Sequence, residues 1–282
     1  MRFLQKNSLT KITGAFILFA IVFTIVSQEQ WNKDNGVIAA DARGYYAYLP
    51  ALLIHNDLKF ENYEDYKIDK RYEVWVMEDE SGTKYIKFTC GMSIMYSPFF
   101  MISHALAKSL SEEPNGFSYP YKIGLVVSSI FYLFIALLFL SKLLLRYFED
   151  RVVSICLLIL FLGTNLYVFE TEFMTQSHGY SFALLTVFMY SCVKWLDAPK
   201  IKWAIWMGIT GGLMFLIRPI DIIFLTFILL FNIKSLKDLT ERFKLIWTYK
   251  LQTLLFLGLF LLMITPQLLY YKHIFGSFIY YS

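Results

Sequence analysis

The chain predicts an all-α polytopic membrane protein. It should have about seven transmembrane helices, interfacial helices, and a small β-hairpin in a long first outer loop. Two observations carry that prediction. Hydrophobic residues fill 57% of the 282 positions and aromatics 19%, with a mean hydropathy of +0.51, which is outside the range of soluble domains. Basic residues also gather in alternate loops between the apolar runs, as membrane insertion favours. The chain reads as one membrane domain over 1–282, with a structured outer loop at 28–120 and a transmembrane bundle at 121–270.

The first apolar run, Ile12–Ser27, follows Arg2, Lys6 and Lys11. Val26-Ser-Gln-Glu-Gln30 offers no small-residue cleavage site, so the run reads as an uncleaved first span rather than a secretory leader. Further runs occupy Met92–Leu110, Tyr121–Leu145, Val152–Phe169, Ser177–Val193, Trp203–Ile217, Ile220–Ile233 and Leu251–Tyr270. Counting all eight as crossings would place Arg146, Arg151 and the basic 234–250 stretch outside. Met92–Leu110 carries Ser93, Ser97, Pro98, Ser103, His104 and Lys108, and makes a poor span. If it lies in the outer interface, seven crossings remain. The inner segments then hold Lys142, Arg146, Arg151, Lys194, Lys200, Lys202, Lys234, Lys237, Arg242, Lys244 and Lys250 beside the basic N-terminus. Only Glu149, Asp150, Asp197, Asp238 and Glu241 oppose them. The predicted location is the cell inner (plasma) membrane, with the N-terminus cytoplasmic and the active face outside.

In the first loop, Asp41 to His55 predicts an interfacial helix kinked or restarted at Pro50, because proline disfavours helix at Leu49. Tyr45, Tyr48, Leu49 and Leu52 share a face suited to lipid headgroups. Tyr72–Met77 and Thr83–Phe88 alternate around Glu78-Asp-Glu-Ser-Gly82 and predict the hairpin. Cys90, Cys156 and Cys192 are too scattered to form a disulfide framework. The small net charge of +4 gives no reason to expect a nucleic-acid partner.

Several chemistry-bearing residues fall on the predicted outer face. Asp41 stands about a dozen residues past the first span, where a carboxylate can meet both water-soluble and lipid-borne groups. Arg218 separates two short runs of about 14–15 residues; at ~1.5 Å per residue each covers only about 22 Å of a ~30 Å core. Arg218 is therefore expected below the outer interface, where an ionisable side chain marks a functional site. A plainer role is an Arg218–Asp221 ion pair closing a helical hairpin. Glu170-Thr-Glu-Phe-Met-Thr-Gln-Ser-His178 brings Glu170, Glu172 and His178 to the mouth of a span. These residues, with Asp221, suit positioning of a sugar or acceptor, although the stretch also reads as a solvated loop with His178 capping a helix. Arg43, Lys272 and His273 can hold a lipid phosphate, while Lys272 can equally snorkel to the interface beside Tyr270 and Tyr271. No cofactor is required; Glu170 and Glu172 are the ligands available to a divalent metal.

In order, Asp41-Ala-Arg-Gly-Tyr-Tyr-Ala-Tyr-Leu-Pro50, Lys87-Phe-Thr-Cys-Gly-Met-Ser-Ile-Met-Tyr-Ser-Pro-Phe-Phe100, Gly211-Gly-Leu-Met-Phe-Leu-Ile-Arg-Pro219 and Pro266-Gln-Leu-Leu-Tyr-Tyr-Lys-His-Ile-Phe-Gly-Ser277 span nearly the whole chain. With that order the chain resembles the membrane-embedded GT-C glycosyltransferases, in particular the bacterial dolichyl-phosphate-mannose-type and aminoarabinose-transferase-like group. The resemblance implies sugar transfer from a polyprenyl-phosphate donor to a glycan, lipid or protein acceptor. It further implies inversion at the anomeric carbon, Asp41 as general base, and a seven-span core. Two departures stand out. Ala42 occupies a position where several branches carry a second acid, and the chain stops at Ser282, where family members commonly continue. A truncated or inactive scaffold of the same fold is the alternative expectation. A lipid or sugar transporter fits less well, because the intramembrane charge is confined to the outer half.

Overall fold

The computed structural model describes residues 7–33, 36–66 and 74–280. Among the described residues it is a helical bundle with one two-stranded sheet. The chain forms α1 (Ser8–Gln28), α2 (Ala42–Tyr46), α3 (Tyr48–Leu53), α4 (Tyr63–Tyr66), β1 (Met77–Glu78), β2 (Lys84–Tyr85), α5 (Gly91–Ser109), α6 (Tyr119–Leu144) and α7 (Asp150–Gly163). Then follow α8 (Leu166–Thr171), α9 (Ser177–Asp197), α10 (Ile201–Ile217), a 3-10 segment (Pro219–Thr226), α11 (Phe227–Leu230), α12 (Leu236–Thr248) and α13 (Lys250–Phe275). Among the described residues three helical stretches, Ser8–Asn32, Tyr119–Leu144 and Lys250–Phe275, are long and apolar enough to cross a membrane. The remaining predicted crossings are shorter or broken, except α9, which is continuous over 21 residues but less apolar.

The long elements run between two ends of the bundle. α1 and α7 are parallel. At one end the Leu9 and Thr10 amides donate to the Asp150 carboxylate at 3.0 and 2.9 Å, and at the other the Thr24 and Tyr167 hydroxyls lie 3.1 Å apart. Asn7 supplies no side-chain cap to α1, so Asp150 satisfies its free N-terminal amides across the bundle. α6 runs back: Lys122 Nζ donates to the Trp31 carbonyl at 3.2 Å, and Arg146 beyond its far end pairs with Asp197. α13 meets Trp195 through Gln252 at 2.8 Å at one end, and the Ile86 amide donates to the Tyr270 hydroxyl at 2.8 Å at the other.

α10 and α13 pack in parallel through a Gly208-x-x-x-Gly212 stripe. A Cβ on either glycine would lie 2.7 Å from a carbonyl oxygen of α13, that of Phe256 or Phe260. Small residues at this spacing let two backbones approach closely where lipid supplies little driving force for association. After Arg218 the chain tightens into the 3-10 segment. Eight residues at ~2.0 Å per residue advance about 16 Å rather than the 12 Å an α-helix would give. This lengthens an otherwise short return strut.

Three local expectations are corrected. The break in the Asp41–His55 helix falls at Ala47 rather than at Pro50, which lies inside α3. Proline removes the amide that would bond the carbonyl four residues back and crowds that carbonyl, so the ladder fails at Tyr46. Tyr45, Tyr48 and Leu49 are buried in protein rather than offered to lipid, while Leu52 is exposed. The Tyr48 hydroxyl donates to the Phe88 carbonyl at 2.6 Å, and its ring stands edge-on to Tyr270. The hairpin pairs only Met77 with Tyr85 and Glu78 with Lys84; Tyr72 and Glu73 of its expected first strand lie outside the described residues.

α5, the doubtful span, runs antiparallel along the first half of α6. The Tyr132 hydroxyl donates to the Met95 carbonyl at 3.2 Å, and His104 reaches Tyr121 near the start of α6. Its N-terminus abuts Leu216 and Ile217, at the same end of the bundle as the loop carrying Asp41.

Candidate functional site

Four of the expected residues converge at that end. Arg218 ends α10 in an extended conformation, φ −143° and ψ 102°, as the following Pro219 demands. Its Nη1 lies 3.0 Å from Nδ1 of His178, in the first turn of α9. The guanidinium can only donate, so Nδ1 accepts and the proton of a neutral imidazole sits on Nε2. The His178 ring is stacked on Phe169, with centroids 3.8 Å apart and an interplanar angle of 24°. This fixes its plane. Asp41 and Asp221 lie close enough for their charges to act on His178 together with that of Arg218.

Asp221 is buried and accepts a hydrogen bond from the Ser181 hydroxyl, one turn beyond His178 on α9. Its amide donates to the Arg218 carbonyl at 2.9 Å. Among the described residues no ion pair joins the two side chains, so the simple hairpin clasp is not formed. The guanidinium turns instead toward His178.

Asp41 is half-buried at the N-terminus of α2. Its backbone carbonyl accepts from the Gly44 and Tyr45 amides at 3.0 and 3.1 Å. Among the described residues its carboxylate accepts no hydrogen bond and keeps its acceptor capacity. The preceding Ala40 has φ +47°, a left-handed conformation costly for any residue with a Cβ. Asp41 follows directly on this turn, near enough to His178 of α9 for its charge to act there. Tyr45, on α2, lies in the electrostatic field of both Asp41 and Arg218, and its hydroxyl is 3.5 Å from Ser177 Oγ. Burial pushes the Tyr45 hydroxyl above its ordinary pKa. The loop is pinned to its surroundings: Ser93 donates to the Tyr45 carbonyl, Tyr96 to the Thr175 carbonyl, and Thr175 to the Val37 carbonyl.

The other expected residues separate from this cluster. Glu170 is fully buried between α6 and α9 rather than facing a substrate. Ser129 donates to its Oε2 at 3.2 Å, Oε1 has no partner, and a Cβ on Gly179 would stand 2.3 Å from that oxygen. Glu172, two positions on, is exposed. The two carboxylates thus stand in different surroundings, one buried and one exposed, and no group of three metal-ligating side chains occurs among the described residues. Lys272 is exposed, with its ammonium 4.7 Å from the Phe278 ring centre, which fits the snorkelling role. His273 opens on a separate groove of about 720 Å³ between α3, α5 and α13, lined also by Leu49, Leu52, Ile94, Met101 and Leu269. Arg43 is half-buried on α2.

Ser177, Ser181 and Phe169 carry no role in the sequence reading, and Tyr45, read there as lipid-facing, belongs to the site. Ser177 and Ser181 sit one helical turn apart beside His178, and that spacing is the signal that marks them. No family model matches the chain, and no match is found among curated proteins or solved structures.

Proposed function

We propose that the chain is a glycosyltransferase of the inner membrane that moves a sugar from a polyprenyl-phosphate donor to an acceptor hydroxyl, with its site on the outer face. The observation that carries this reading is the nearness of the Asp41 carboxylate, which accepts no hydrogen bond among the described residues, to the Arg218–His178 pair. Asp41 takes the proton of the acceptor hydroxyl as general base. The acceptor oxygen bonds to the anomeric carbon from the face opposite the phosphate, and the bond from that carbon to the phosphate oxygen breaks with inversion. Arg218 meets the negative charge growing on the departing lipid phosphate. The Nε2 proton of His178 is available to a sugar or phosphate oxygen. The apolar groove bordered by Leu49, Leu52 and Leu269 suits an isoprenoid tail, and His273 stands at its wall. Outward orientation is supported by the basic residues gathered at the opposite end.

The test is transfer by the full chain in proteoliposomes containing a radiolabelled polyprenyl-phosphate sugar. Asp41→Asn should abolish transfer and hydrolysis while leaving donor binding and insertion unchanged. Undiminished turnover in that variant would remove Asp41 from the mechanism. A wild-type chain that neither binds nor turns over the donor would favour the scaffold reading.

A further inference from the structure

At the end of the bundle away from the site, α12 differs from every other long helix. A box in which the Asp238 amide donates to Ser235 Oγ at 3.2 Å and the Ser235 amide to Asp238 Oδ2 at 2.9 Å starts it cleanly. One side is fastened to the bundle: Arg242 donates to the Phe231 carbonyl at 2.9 Å and to that of Ile228, and Leu245 and Ile246 pack against the core. Leu236, Phe243 and Trp247 share the adjoining face at helical spacing and are 83%, 54% and 75% exposed. Lys237 and Lys244 border that face. Lys250 follows at the start of α13, its ammonium 5.9 Å from the Trp247 ring centre.

We propose that α12 lies in the plane of the membrane boundary and binds anionic phospholipid, with Leu236, Phe243 and Trp247 in the acyl region and Lys237, Lys244 and Lys250 on the headgroups. Two observations select lipid over a protein partner. Just past the end of α12, Leu251 and Leu254 are likewise exposed on α13, a helix long and apolar enough to cross a membrane. Its lysines also outweigh its acids: Asp238 is committed to the cap and Glu241 pairs with Lys244 at 2.8 Å, while Lys237 and Lys250 form no ion pair among the described residues. An apolar stripe edged by lysines suits an anionic interface. This inference is independent of the proposed reaction.

The test uses the full chain in vesicles of phosphatidylcholine in which an equal minor fraction is either brominated phosphatidylglycerol or brominated phosphatidylcholine. The Trp247 emission is isolated as the difference from Trp247→Phe. Quenching by the brominated anionic lipid should exceed that by the zwitterionic one at least twofold. Lys237→Glu/Lys244→Glu should equalise the two while retaining the zwitterionic quenching, which reports that the helix is still docked. No quenching by either lipid would place the face in water or against another protein copy and overturn the proposal. Equal quenching in the unaltered chain would overturn it as well, since it removes the anionic preference.

Discussion

Arg218 Nη1 lies 3.0 Å from His178 Nδ1, joining the last turn of α10 to the first turn of α9. The bond orients both groups. It holds the guanidinium against the imidazole, on which the Asp41 charge also acts, and leaves the Nε2 proton pointing away from Arg218, while Phe169 fixes the ring plane.

Arg218→Ala is expected to reduce transfer by roughly 10²–10³-fold, the usual loss when a donor to developing negative charge is removed. Arg218→Lys should recover only part, because a point charge cannot serve His178 and a phosphate in the fixed geometry of the planar guanidinium. Rates with a fixed acceptor and varied donor, set against direct donor binding, separate the two effects.

Ala40→Gly should stabilise the chain by about 1 kcal/mol by relieving the left-handed strain, less the entropy cost of glycine. The thermal midpoint in detergent measures the gain. If the strained turn holds Asp41 in place, the same variant should lose turnover while gaining stability.

Gly208→Val and Gly212→Val should each destabilise by several kcal/mol, because the new side chain meets an α13 carbonyl at 2.7 Å where neither backbone can yield cheaply. Gly258→Val, with nothing near its Cβ position, serves as the control. Thermal midpoints of the three variants should rank accordingly.

Glu170→Gln should leave stability within about 1 kcal/mol of the unaltered chain, since the amide keeps the bond from Ser129 and offers a donor where Oε1 now has no partner. Glu170→Ala opens a buried cavity and should cost about 2–4 kcal/mol. Equal losses in the two variants would require a charged role for this carboxylate.

Asp150→Ala should fray the start of α1 and cost about 1–2 kcal/mol, as expected for loss of a charged cap on two helix amides. Hydrogen exchange at Leu9 and Thr10 reads that loss directly.

Much of this molecule was legible in composition and spacing. The long apolar runs of α1, α6 and α13 announce themselves, because burial in lipid requires an unbroken apolar stretch. Pro219 ends α10 where the chain says it must, and Arg218 and Asp41 stood out as ionisable groups among apolar neighbours. Helical periodicity is less informative where protein packs on all sides: Tyr45, Tyr48 and Leu49 share a face, but nothing in that spacing says whether lipid or Phe88 and Tyr270 cover it. The same gap hid the fate of Glu170. Two positions separate it from Glu172, yet that step turns one carboxylate into the helix packing and the other to the surface.

By itself, the sequence determined a helical membrane chain, its long apolar elements, and the residues able to carry charge at one end, because these depend on local composition and backbone chemistry. Only the tertiary structure decided that His178 meets Arg218 while Asp221 turns to Ser181, that Glu170 is buried, and that His273 lines a different groove. Those outcomes depend on which helices pack side by side and on the rotation of each about its axis. Contacts between residues 40 positions apart, such as Arg218 with His178, arise from that packing and carry no local signature.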